Sequence, residues 1–118
     1  MLSRIAQEHA REIANHDWSD APYRADRAGH DRTIDGRGTG KQLEPHEADI
    51  IKMNVMWVTA QVLMHEDPNL DITEFAVACG LPRHLTHNKD GRPSGALMAG
   101  IRTDNGQVST PGLWERVS

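Results

Sequence analysis

Seven histidines and a single cysteine are the side chains of widest chemical reach in this sequence. His84 and His87 stand three apart, so a helix would put them on one face, and Cys79 lies just ahead; together they make a partial zinc set. No CxxC pair, HExxH or histidine cluster completes it. Cys79 is therefore expected to pack as a small apolar residue, and neither metal nor cofactor is expected. His9, His16, His30, His46 and His65 are scattered along the chain and are expected at the surface. The run Gly36, Arg37, Gly38, Thr39, Gly40, Lys41 fails the count of a phosphate-binding loop. Only three residues separate Gly36 from Gly40, Gln42 stands where a magnesium-binding Ser or Thr belongs, and no strand precedes. Glu66 and Asp67 have no nucleophile or base beside them. No enzymatic activity is expected.

The polar set with the clearest chemistry is Arg83, His84, His87, Asn88, Lys89, Arg92 and Arg102. Arginine and asparagine can read guanine and adenine edges, and cationic side chains neutralise phosphates, so that chemistry is DNA recognition. Four or five helices must position these residues. Leu2, Ile5, Ala6, Ala10, Ile13 and Ala14 recur at helical steps, predicting a helix over 3–16 that Pro22 and its polar neighbours terminate. Residues 17–44 hold Gly29, Gly36, Gly38 and Gly40 among mixed charges. They predict a loop or arm, read either as a mobile solvated linker, as a binding loop, or as containing a short helix near 25–30. Pro45 opens the strongest element, a helix over 45–65 that is apolar on nearly every face and so is expected at the centre, buried on several sides. Asp71 and Glu74 have capping-box spacing ahead of a helix over 72–79, which Gly80 stops. A short helix over 83–88 follows. Residues 96–101 fit helix or strand, and Asn105 with Gly106 predicts a hairpin turn joining strands 97–103 and 107–110. Leu113 and Trp114 are expected to anchor the tail on the core.

Length and charge bound the interpretation. A chain of 118 residues with 37% hydrophobic and 25% charged content is one domain, large enough for a core without staples. One cysteine leaves no intramolecular disulfide and fits a cytoplasmic location, and no apolar run reaches membrane-spanning length. A net charge of −4 argues against a sequence-independent nucleic-acid coat. Residues 1–21 carry −2, 22–41 carry +2, 42–71 carry −5 and 72–118 carry +1. The acidity is concentrated in the middle. Arg83, Lys89, Arg92 and Arg102 form a mildly basic stretch with only Asp90 among them.

Residues 72–88 resemble the helix-turn-helix of DNA-binding proteins. The resemblance implies that Phe75 and Ala76 are buried, Cys79 closes the first helix, Gly80 turns, and Leu81 inserts behind it. It further implies that Arg83, His84, Thr86, His87 and Asn88 lie on a recognition helix, with the 45–65 helix as support and the hairpin as a wing. The pattern departs where a buried aliphatic belongs: Thr86 stands there, with Leu85 one place early, and Lys89 occupies the next apolar position. The chain also looks like small proteins of actinobacterial phages. The expected architecture is mainly α, a small helical domain with a C-terminal β-hairpin. The expected function is a small DNA-binding regulatory or phage accessory protein, with homodimerisation common among two-fold readers. The alternative is an interaction module that binds and modulates a bacterial host protein through residues 17–44 and the acidic Glu44, Glu47 and Asp49.

Overall fold

The computed structural model describes residues 1–36 and 40–113. Its longest element is α2, Pro45–Glu66. Pro45 occupies the first turn, where its missing N–H costs nothing, and Glu44 and Glu47 satisfy each other's backbone donors in a reciprocal capping box. Helix α1, Arg4–Asn15, starts at Ser3, whose hydroxyl accepts from Ala6 N at 3.2 Å. It buries Ala6, Ala10 and Ile13. The two alanines let α1 approach α2 and α3 closely. Helix α3, Ile72–Ala78, begins at Asp71, whose carboxylate accepts from Thr73 N and Glu74 N. The predicted Asp71–Glu74 box is half formed, because Glu74 turns instead to the Met1 amino group, 3.2 Å away. Phe75 and Ala76 of α3 are completely buried with Met56, Ala60 and Met64 of α2. These three helices make the core of a mainly α fold, as predicted.

Helix α4, Arg83–Thr86, and helix α5, Gly95–Ala99, complete the helical set, and β1, Thr103–Asp104, pairs antiparallel with β2, Gln107–Val108. Asn105 (φ 53°) and Gly106 (φ 80°) make the predicted turn. The strands are shorter than expected. Ser94 caps Ala96 N and nucleates α5, so Leu97 to Ala99 are helical and only Thr103 and Asp104 remain to pair. Trp57 Nε1 donates to Leu97 O at 2.9 Å, and a Cβ on Gly100 would lie 2.1 Å from the Trp57 ring, so that position admits only glycine. Buried Gln61 ties the hairpin to α2 by accepting from Arg102 N (2.9 Å) and donating to Arg102 O (3.1 Å) and Ser109 O (3.3 Å).

Other expectations change as well. α2 is central but not enclosed: Ile50, Val58 and Val62 are 48%, 73% and 46% exposed, because its neighbours cover the other sides. Leu113 is exposed and does not anchor the tail; Trp114 lies outside the described residues. Among the described residues no helix is long and apolar enough to cross a membrane.

Candidate functional site

Gly80 ends the α3 turn with φ +86°, a conformation that costs glycine little, and Leu81 N returns to Ala76 O at 3.3 Å. Phe75, Ala76, Cys79 and Leu81 are all buried, as the helix-turn-helix resemblance implies. Burial pushes the Cys79 thiol up to about 12, against a small opposing effect of Lys52. It is a core residue. Thr86 fills the position where an aliphatic side chain would sit; it is 1% exposed, and its hydroxyl donates back to Arg83 O. That back-bond and the pairing of His87 with Pro93 end α4 after one turn. The predicted helix over 83–88 therefore stops at Thr86. His87 is extended, and Asn88 N donates to Arg92 O at 2.8 Å, folding residues 88–92 into a tight turn.

Arg83, His84, His87, Asn88 and Lys89 nevertheless come together around one open concavity of about 540 Å³. None of these lining residues is a carboxylate. Arg92 stands outside this set, 3.7 Å from Asp90 on the surface. Arg102 is also apart, its guanidinium reaching Thr110 O at 3.5 Å and its backbone held by Gln61. No group of three metal-ligating side chains forms around Cys79, His84 and His87 among the described residues.

A second polar cluster lies in residues 17–36, where the sequence predicts surface. Pro22 fixes a single 3-10 turn, Ala21–Tyr23, and no helix forms over 25–30. The segment is folded back by specific bonds: Asp17 N to His30 O (2.9 Å), Arg32 N to Asp17 Oδ2 (3.1 Å) and Leu43 N to Ser19 O (2.6 Å). His30 is not at the surface but 1% exposed. Its Nε2 faces Asp20 Oδ1 at 3.0 Å, and its Nδ1 faces both Asp26 Oδ2 at 3.0 Å and Asp35 Oδ2 at 3.1 Å. A neutral imidazole donates from one nitrogen only, so carboxylates on both favour the imidazolium.

The electrostatics follow from those contacts. Burial pulls the His30 value down, but the bond to Asp35 and the charge and bond of Asp20 outweigh it, and the net shift is upward. Asp26 is held below the usual carboxylate range first by the Arg27 N–H, then by Arg24 and His30. The Asp31 N–H does the same for Asp35, with His30 and Arg27 adding to it. Burial raises Asp17, and bonds from Ser19 and Arg32 reverse the effect. Arg24 pairs with Asp26 and donates to Asp35 O. The expectation of a surface position for His30 is thus overturned, and no sequence pattern assigns Asp20, Asp26 and Asp35 a shared role. The available signal was the alternation of aspartate with arginine, with Asp26 and His30 four apart.

No protein family matches this chain, and no curated protein or solved structure matches it either.

Proposed function

We propose that the protein is a small DNA-binding accessory or regulatory factor whose contact surface is the concavity between α4 and the 87–92 turn. The observation that carries this reading is the convergence of Arg83, His84, His87, Asn88 and Lys89 on one open face with no carboxylate in its lining. A one-turn α4 is too short to lie along a major groove. The contact therefore rests on phosphates met by Arg83 and Lys89, with Asn88 and the histidines reaching base edges from a turn. Two phosphate contacts give modest affinity with a salt slope of about −2. The test is anisotropy with duplex DNA at two salt concentrations. Arg83→Ala and Lys89→Ala should each weaken binding across sequences and lower the salt slope by about one. Unchanged affinity and slope in both variants would overturn the reading.

A second reading is favoured by a separate observation, the exposed apolar residues Ile50, Val58 and Val62 along α2, with Ile5 of α1 also exposed. Exposed aliphatic side chains on one helix are candidates for protein contact. On that reading the chain modulates a bacterial protein. The acidic end at Glu44, Glu47 and Asp49 borders a second groove, lined in part by Trp18, Leu43 and Lys52. A stoichiometric protein partner that survives nuclease treatment and is lost in Val58→Asp would select it over the first.

A further inference from the structure

We propose that His30 Nδ1, Asp26 Oδ2 and Asp35 Oδ2 form a binding site for a first-row divalent transition-metal ion such as Zn²⁺, with Asp20 as the carboxylate that orients the imidazole. No metal is expected from the sequence alone, and this site is separate from the proposed DNA face.

Three observations carry the assignment. The three donor atoms lie within 4.8 Å of one another, and the two Nδ1 to oxygen separations are 3.0 and 3.1 Å. Ligand atoms held about 2.1 Å from such an ion stand about 3.0 Å apart in an octahedral shell and about 3.4 Å apart in a tetrahedral one, so a shift of a few tenths of an ångström or less brings these donors into a coordination shell. Next, one nitrogen faces two carboxylate oxygens. Its single proton can bond fully to only one of them, whereas a divalent ion serves all three donors at once, and it would take the place of that proton. Finally, the 20–36 segment has no apolar reason to fold. Its only buried residues are Asp20 and His30, and Ile34, its one aliphatic residue larger than alanine apart from Pro22, is 76% exposed. The segment is therefore ordered by polar bonds alone, and binding of an ion at their centre would add directly to its folding free energy.

The surrounding groups suit that role. Nε2 donates to Asp20 Oδ1, the carboxylate–histidine arrangement that fixes the ring and leaves Nδ1 as the ligand. Asp35 keeps Oδ1 for Arg27 while Oδ2 faces the site and also accepts from Asp31 N. Arg24 sits on the same Asp26 oxygen, so the ion must displace that contact. The side chains of Asp26 and Asp35 are 19% and 17% exposed against 1% for His30, so access is from the carboxylate side and water can complete the shell. A mixed imidazole and carboxylate set without thiolate favours zinc or manganese over copper(I).

The test is calorimetric titration of metal-stripped full-length protein with Zn²⁺, together with long-range ¹H–¹⁵N spectra of the histidine rings. The expected result is one saturable site per chain, a large shift at His30 Nδ1, and affinity weakened about tenfold or more in Asp26→Asn and Asp35→Asn. A His84→Ala, His87→Ala double variant should bind as the wild type does. Absence of saturable binding, an unshifted His30 ring, wild-type affinity in both aspartate variants, or loss of binding in the double variant would each overturn the assignment. Should the aspartate variants fail to fold, the His30 shift in the wild-type protein decides.

Discussion

Cys79 is completely buried behind α3, and its thiol stays protonated far above the usual range because burial disfavours the thiolate. The stability consequence has a definite sign. Below the ordinary value of 9.0 the thiol is protonated in both folded and unfolded chains and contributes no slope. Between 9.0 and about 12 the unfolded thiol ionises while the folded one does not, so unfolding releases a proton and stability falls as pH rises. Denaturant midpoints measured across that window should fall more steeply for the wild type than for Cys79→Ala; parallel curves would refute the assignment. At the same scale His30 shows how a residue escapes a linear reading. Nothing adjacent to it in sequence marks it as buried, and its partners Asp20 and Asp35 lie ten and five positions away.

At the scale of elements, local rules governed where helices begin and stop. Pro45 and Gly80 act as the sequence predicts, and Asp71 caps α3 although Glu74 does not complete the box, because caps and glycine stops depend on a few consecutive backbone groups. Asp71→Ala should therefore cost about 1 kcal/mol, read as a lowered denaturation midpoint, since Thr73 N and Glu74 N lose their acceptor. The failures lie where a segment has two local options. Residues 96–101 fitted helix or strand, and the Ser94 cap with the Trp57 contact at Gly100 selected the helix. The 83–88 segment was helical in pattern, yet the Thr86 back-bond and the pairing with Pro93 stopped it after one turn. That outcome also alters the candidate site, from the face of a helix to a one-turn helix followed by a tight turn.

At the scale of the molecule, a few long-range polar contacts hold the C-terminal hairpin on the helical core. Gln61 supplies three of them from 41 and 48 positions away. Gln61→Leu should cost about 1–3 kcal/mol by leaving those backbone groups without their partner. Amide exchange should then accelerate across 102–109 while α1 and α3 keep their protection; uniform protection would show that the hairpin docks by other means. The sequence by itself determined the helix boundaries set by caps, the mainly α class and the hairpin turn, since these follow from neighbours within one or two turns. It also singled out the residues of the α4 concavity, although not the shape that presents them. Only the tertiary structure decided which face of α2 stays uncovered, that α4 is one turn long, and that His30 is buried among three aspartates. Each of those depends on which groups meet in the folded chain, and local spacing such as the Asp26–His30 interval permits such a meeting without fixing it.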